Sequence, residues 1–197
     1  MPHFKNRRTY FTGLALALTC AALAGCATRL SPPMTGYTCC NLRPYYSAVT
    51  SGNMLGGSIL PAGTTVSFDY VKRGRYYGYI GDEYVTLSDD SPRAEGDLPW
   101  IRQVVVQVDP KIEYSTWSPQ VQNAVLSAKV IPGMTKAQVL MALSHPPRDI
   151  TKDPSGTTWR YWTAQEDSIV DINFDADGRV TGFAGKPSAV RAVEFKN

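Results

Sequence analysis

The stretch GMTKAQVLMALSHP, residues 133–146, decides the fold of the second half of the chain, because it carries most of the local signals of a short helix. Thr135 can cap the helix with its hydroxyl, and Gln138 can reach back to the backbone N–H of Thr135, which completes a capping box. Gly133 lets the backbone turn into the cap, and Pro146 ends the helix. The helix therefore has one apolar face, made by Val139, Leu140 and Leu143.

A second helix and several strands surround this stretch in the sequence. Ser118 and Pro119 begin a second helix, which precedes the helix of residues 133–146 in the chain. Beyond Pro147 the apolar pattern changes to a period of two, which predicts strands at 159–162, 169–174 and 179–183. We therefore predict an α+β fold for residues 111–197, with a helical hairpin packed on a three-stranded antiparallel sheet (ααβββ). A last apolar stretch, 190–195, adds a strand or packs as a tail.

The first half of the chain, residues 37–110, is predicted to be β-rich. The alternation of apolar residues predicts a strand in which Val66, Phe68 and Tyr70 share one face. Further strands are expected at 76–80, 84–87 and 101–108. Glycine-containing turns separate the first three of these strands. The segment LPAGT, residues 60–64, resembles the strand entry of bacterial SH3-like modules, which implies a small barrel.

The N-terminus has the pattern of an export signal. A basic start and an apolar run, 14–24, precede Leu23-Ala24-Gly25-Cys26, which resembles a bacterial lipobox. This resemblance implies a cleaved signal peptide at 1–25 and a lipid (palmitate) on Cys26, followed by a flexible tether at 26–36. Ala27, rather than Asp, follows the cysteine, which implies anchoring in the outer membrane, facing the periplasm.

The charge balance gives no indication of a nucleic-acid partner. Cleavage removes three of the 20 basic residues and none of the 17 acidic ones, so 17 of each sign remain. No basic run survives in the mature chain, so we predict no nucleic acid binding.

Two groups of residues leave alternatives open. Cys39 and Cys40 are neighbours in the sequence. They can form a disulfide with each other, which could be redox-active. Alternatively, they can bond to another chain or stay reduced. The tyrosines of the β-rich half can form a binding face for peptide or glycan, or simply suit half-buried strands. These tyrosines are Tyr70, Tyr76, Tyr77, Tyr79 and Tyr84.

The motif at 133–146, with Trp159, Tyr161, Phe174 and the DGRV segment at 177–180, resembles BamE-like (SmpA/OmlA) lipoprotein domains. The resemblance covers residues 118–184 and implies two helices on a three-stranded sheet. It also implies a role as an accessory protein in outer-membrane protein assembly. The β-rich half and Ser144-His145 before the proline depart from that family's pattern.

We predict no catalytic, cofactor or metal site. His145 lies at a helix end with no assignable nucleophile, and Asp175-Ala176-Asp177-Gly178 is read as a hairpin turn rather than a calcium loop. The expected function is a non-enzymatic scaffold that contacts other envelope proteins. An alternative is a module that binds peptidoglycan or a peptide through the tyrosines. A weaker alternative, from fold analogy, is a protein inhibitor. Lys136 is expected to face solvent.

Overall fold

The computed structural model of the protein describes residues 27–52, 55–90, 100–163 and 168–196. The described part is mostly β, with short helices of at most eight residues. The strands are β1 Thr28–Thr38, β2 Ala48–Thr50, β3 Thr65–Lys72, β4 Arg75–Ile80, β5 Glu83–Ser88, β6 Val105–Val106, β7 Thr158–Trp162, β8 Ile169–Phe174 and β9 Val180–Gly185. The helices are α1 Trp100–Val104, α2 Lys111–Tyr114, α3 Pro119–Leu126, α4 Lys136–Leu143 and α5 Pro187–Val193. Within these residues, no helix is both long enough and apolar enough to cross a membrane.

The larger sheet has six strands in the order β2-β5-β4-β3-β1-β6. Its pairs are antiparallel except β2 with β5, which run parallel. The inner face is apolar, because mostly apolar side chains alternate inward along β4 and β5. Together with α1, this face forms one core that includes Val66, Phe68, Ile80, Val85, Leu87, Trp100 and Val104.

A bulge in β3 changes which face its side chains reach. Phe68 pairs with Gly78 and Tyr70 pairs with Tyr77, so Asp69 is the extra residue between the two pairs. One inserted residue reverses the alternation along a strand. Tyr70 therefore points outward and is 42% exposed, whereas Phe68 is fully buried. The prediction that Tyr70 shares a face with Val66 and Phe68 is wrong for this reason.

The smaller sheet has the order β7-β8-β9 and is antiparallel. Its core also takes in side chains of α3, α4 and α5. The predicted capping box of α4 is confirmed: Gln138 N donates to Thr135 Oγ1 at 3.3 Å, and Thr135 N donates to Gln138 Oε1 at 2.9 Å. Ser118 caps α3 as predicted, accepting from Val121 N at 3.4 Å.

The two cores are continuous with each other. Leu140 of α4 packs against both, and Leu55, from the first half of the chain, is buried in the core of the smaller sheet. Leu55 N also donates to the carbonyl of Trp162 at 2.8 Å, next to a parallel bridge between Leu55 and Thr163. The two halves of the sequence are therefore packed as one body in this structure.

The predicted fold class is wrong. The protein is not an α+β helical hairpin on a three-stranded antiparallel sheet preceded by a small SH3-like barrel; it is mostly β, with a six-stranded mixed sheet beside a three-stranded one. Two causes account for the error. Strands β1 and β6 both join the larger sheet, and a parallel edge strand, β2, extends it further. The helices are too short, at four to eight residues, to form a helical layer.

Three segments differ from their predictions. The segment predicted as a flexible tether, 26–36, is mostly strand β1, which pairs with β3 and β6. The strand predicted at 101–108 is helix α1 followed by the two-residue β6, because Trp100, Ile101 and Val104 bury one helical face. The apolar tail at 190–195 begins inside helix α5, which Pro187 opens.

Candidate functional site

The predicted lipid attachment residue, Cys26, lies outside the described residues. Strand β1 begins at Thr28, two residues further on. Two residues of extended chain span at most about 7 Å.

Cys39 and Cys40 form a disulfide with each other, at an S–S distance of 2.01 Å. Of the three states left open by the sequence, the structure has the intramolecular one. Both residues are buried, and Cys39 N donates to the carbonyl of Val104 at 2.8 Å. Ser144 Oγ lies 3.5 Å from Cys40 Sγ, and because a disulfide sulfur has no proton, the hydroxyl is the donor. The disulfide thus connects the larger sheet with the end of α4.

Ser144 is held by contacts on several sides at the end of α4. Its φ is 67°, a left-handed value that ends the helix, and its side chain is fully buried. Its carbonyl accepts a hydrogen bond from Tyr161 Oη at 3.0 Å. Burial raises the pKa of Tyr161 well above its usual value, so this phenol stays protonated and remains a donor.

His145 is the neighbour of Ser144 and has a strongly altered pKa. Burial lowers the pKa of His145 to about 4; a hydrogen bond to the backbone of Gln103 in α1 opposes the change, and the charge of Arg148 adds to it. The imidazole is therefore neutral at pH 7 and connects α1 with the end of α4. Ser144 and His145 thus both make contacts that join separate elements of the fold.

The tyrosines predicted as a binding face separate into two groups. Tyr70, Tyr77, Tyr79 and Tyr84 share the outer face of the larger sheet, since Tyr70 pairs with Tyr77 and Tyr79 pairs with Tyr84 across neighbouring strands. We call these four residues the tyrosine face. Tyr79 and Tyr84 are 48% and 54% exposed, and their rings meet edge to face with centroids 5.2 Å apart.

Tyr76 does not belong to the tyrosine face. It pairs with Val71 and with Leu87, and its ring packs against the core of the larger sheet. The alternation along β4 places Tyr76, Gly78 and Ile80 on the inner side. The predicted face thus loses one of its five residues.

Lys136 has a structural role that the sequence did not reveal. Its Nζ donates to the carbonyls of Ser155 and Gly156, both at 2.7 Å, and of Pro154 at 3.3 Å. The same ammonium lies 5.6 Å from the ring centroid of Trp159 and 5.4 Å from that of Phe174. The expectation that Lys136 simply faces solvent is wrong, because this side chain joins α4 to the turn before β7.

The residues considered as a calcium loop form a turn. Asp175 Oδ1 accepts from the backbone N–H groups of Asp177 and Arg179, at 3.0 and 2.8 Å. These bonds occupy the carboxylate and close the hairpin between β8 and β9, as predicted. Within residues 27–52, 55–90, 100–163 and 168–196, no group of three or more His, Cys, Asp or Glu side chains is placed to hold a metal ion.

Asn41 is the important residue that sequence analysis missed. It is 3% exposed, and its Nδ2 donates to the carbonyls of Val125 and Ala142, at 2.6 and 3.1 Å. Its Oδ1 accepts from Ala62 N at 3.0 Å, and its backbone N–H donates to Met141 O at 2.9 Å. The one available signal was a polar residue between Cys40 and Leu42.

No protein-family model matches this chain, and no curated protein or solved structure matches it either.

Proposed function

We propose that the protein is a lipoprotein anchored in the outer membrane through Cys26, where it acts as a non-enzymatic scaffold in envelope or outer-membrane protein assembly. Two features of the sequence support the proposal. The segment before Cys26 resembles a lipobox, and residues 118–184 resemble BamE-like lipoprotein domains. Strand β1 begins at Thr28, so the folded body starts directly after the anchor.

The tyrosine face is the observation that carries the scaffold role. Tyr70, Tyr79 and Tyr84 are each more than 40% exposed on the same side of a sheet whose strands β3, β4 and β5 all have two neighbours. Such strands have few free backbone groups for a partner, so side chains form the contact. Tyrosine is enriched at protein interfaces because one rigid ring supplies both apolar area and a hydroxyl.

The surroundings of Ser144 and His145 support a non-enzymatic role. Ser144 is fully buried beside the disulfide, and its carbonyl is bound by Tyr161. The His145 imidazole faces the backbone of Gln103. A nucleophile and its base need access to a substrate, whereas Ser144 is fully buried and His145 is half-buried.

The test is affinity purification of the full chain from crosslinked envelopes, comparing two double variants. Tyr79→Ser with Tyr84→Ser removes the exposed ring pair of the tyrosine face. Tyr45→Ser with Tyr46→Ser removes another exposed edge-to-face pair, with ring centroids 4.8 Å apart, in the loop before β2. Each interface aromatic contributes about 1–2 kcal/mol, so we expect the first variant to lower recovery of the partner at least about tenfold.

The control variant should recover the partner as the native protein does. Recovery of an outer-membrane assembly protein by the native chain and the control, but not by the first variant, supports the proposal. If the native chain recovers no such protein, or if both variants recover it equally, the scaffold proposal fails.

A second candidate function is binding of peptidoglycan or a peptide by the same tyrosine face. The exposure of Tyr70, Tyr79 and Tyr84 on one side favours it, because sugar rings stack on exposed aromatic faces. Titration of the purified protein with cell-wall fragments, followed by NMR, tests it. Shifts confined to β3, β4 and β5 support this function, and unchanged signals in those strands exclude it.

A further inference from the structure

One end of the larger sheet collects four basic residues. Thr28 pairs with Val71 and Arg29 with Tyr70, while Lys72 pairs with Arg75 across the β3–β4 hairpin. These pairings bring the start of β1 and the tip of the hairpin to the same end of the sheet. We call Arg29, Lys72, Arg73 and Arg75 the basic edge.

The hairpin turn makes the tip project. Arg73 and Gly74 have φ values of 49° and 75°, the left-handed pair of a tight two-residue hairpin turn. A side chain on Gly74 would meet nothing within 4 Å, so the tip is surrounded by open space. All four residues of the basic edge are exposed.

The four cations have little internal compensation. Among the described residues, none of them takes part in an ion pair within 4.0 Å. The acidic residue nearest in sequence is the half-buried Asp69 in the bulge of β3. Asp89 and Asp90 follow β5, whose Leu87 pairs with Tyr76 of β4, so these two carboxylates lie at the same end of the sheet as Arg75. Four basic residues against these carboxylates leave this end of the sheet with a local excess of positive charge.

Cys26 precedes this end of the sheet. Only Ala27 separates it from Thr28, a reach of at most about 7 Å along extended chain, so a lipid there holds this end of the sheet near a bilayer surface. Lysine and arginine next to a lipid anchor strengthen binding to anionic headgroups, and a single acyl chain alone binds reversibly. Tyr70 and Tyr77, directly behind the cations on the same face, are residue types suited to the membrane–water interface.

We infer that the basic edge binds the anionic phospholipid surface beside the anchor and so fixes the orientation of the folded body on the membrane. The inference rests on the proposed anchoring at Cys26 for its placement. It leaves the opposite end of the tyrosine face, with Tyr79 and Tyr84, directed away from the bilayer and open to a partner.

The test is hydrogen–deuterium exchange of the full chain, purified from membranes and reconstituted in vesicles. One set of vesicles is phosphatidylcholine alone, and the other also contains phosphatidylglycerol. We expect exchange in residues 70–76 to be about fivefold slower in the anionic vesicles, the factor by which one cation near an anionic bilayer strengthens binding. Raising the salt concentration should remove the difference, because exposed charges are screened.

Two triple variants separate position from net charge. Lys72→Gln, Arg73→Gln and Arg75→Gln should abolish the protection by anionic lipid. Arg102→Gln, Lys152→Gln and Lys186→Gln remove the same charge from exposed positions outside the basic edge and should retain the protection. Equal urea midpoints for the two variants show that both are folded.

Equal exchange in the two kinds of vesicle, or equal protection in both triple variants, overturns the inference. Mass spectrometry of the same preparation reports the lipid on Cys26 separately. Protection by anionic vesicles without acylation supports lipid binding by the basic edge and contradicts the lipid anchor. Acylation without protection supports the lipid anchor and contradicts lipid binding by the basic edge.

Discussion

Asn41 Nδ2 donates to the carbonyl of Val125 at 2.6 Å, across 84 positions of the sequence. Val125 lies in α3, and Asn41 lies just after the disulfide. The same amide group reaches Ala142 O in α4, and its oxygen accepts from Ala62 N. One buried side chain therefore binds the loop of residues 61–63 and two helices to the segment after β1.

Asn41→Ala should destabilise the protein by about 3 kcal/mol, because it leaves two carbonyls and one N–H buried without their partner. Urea unfolding of the purified chain measures this cost. Asn173→Ala is the control, since Asn173 Oδ1 makes one half-buried bond with Thr158 Oγ1 at 3.0 Å, and it should cost less than about 1 kcal/mol. Equal midpoints for native protein and Asn41→Ala would show that Asn41 does not join the two halves.

The capping box of α4 predicts a graded series. Thr135→Ala should cost about 1 kcal/mol and Thr135→Gly less, because glycine tolerates the cap conformation. Leu143→Ala should cost about 2–5 kcal/mol, since Leu143 is 1% exposed in the core. Thr157→Ala, at an exposed position, is the control and should stay within about 0.5 kcal/mol. Loss of partner recovery in cells by Thr135→Ala at an unchanged urea midpoint would make this helix a binding surface.

Lys136→Ala should cost about 1–3 kcal/mol, because three carbonyls lose a charged donor and two rings lose a cation. Lys136→Met keeps the length of the side chain, so the difference between the two variants reports the ammonium alone. Lys186→Ala, at an exposed position, should have no effect beyond about 0.5 kcal/mol. A Lys136→Ala midpoint equal to that of Lys186→Ala would contradict the assigned contacts.

The lowered pKa of His145 predicts how the stability of the protein depends on pH. Its pKa in the folded state, about 4, lies below the usual 6.5, so the unfolded chain binds the proton more readily. The free energy of unfolding therefore keeps its full contribution from His145 above pH 6.5, and this contribution is lost as the pH falls from 6.5 to about 4. The loss is on the order of 3 kcal/mol.

Urea unfolding between pH 7 and pH 4 checks this dependence against His145→Gln, which should show a shallower loss. NMR titration of the imidazole gives the pKa directly. His3 is the other histidine of the chain and lies outside the described residues. A His145 pKa near 6.5 in the folded protein would remove the predicted pH dependence.

Local signals predicted several elements well. The capping box of Thr135, the Ser118 cap and the turn at Asp175 depend on neighbours within four residues, and all three are present. The fold class failed because strand pairing is not local. Residues 28–36, rich in proline and polar residues, contain no alternation that marks a strand, and they extend β1 because β3 offers them an unpaired edge.

The candidate site also combines features that local sequence patterns reveal with features that they do not. Alternation along β4 and β5 accounts for Tyr77, Tyr79 and Tyr84 on the outward face, but the bulge at Asp69, which moves Tyr70 to that face, has no sequence signal of its own. The partners of Asn41 and Lys136 lie 18 to 101 positions away, so no pattern of nearby residues reveals them. The basic edge combines Arg29 with a hairpin more than 40 positions later and appears only when the register is known.

The most direct test of the proposed function is the intact mass of the protein extracted from membranes, measured with its N-terminal peptide. The proposal predicts that residues 1–25 are absent and that the chain begins at an acylated Cys26, while a Cys26→Ala variant is either uncleaved or released to the soluble periplasm. An unmodified Cys26, or a Cys26→Ala protein that fractionates with the outer membrane as the native one does, would contradict the lipid anchor on which the proposal stands.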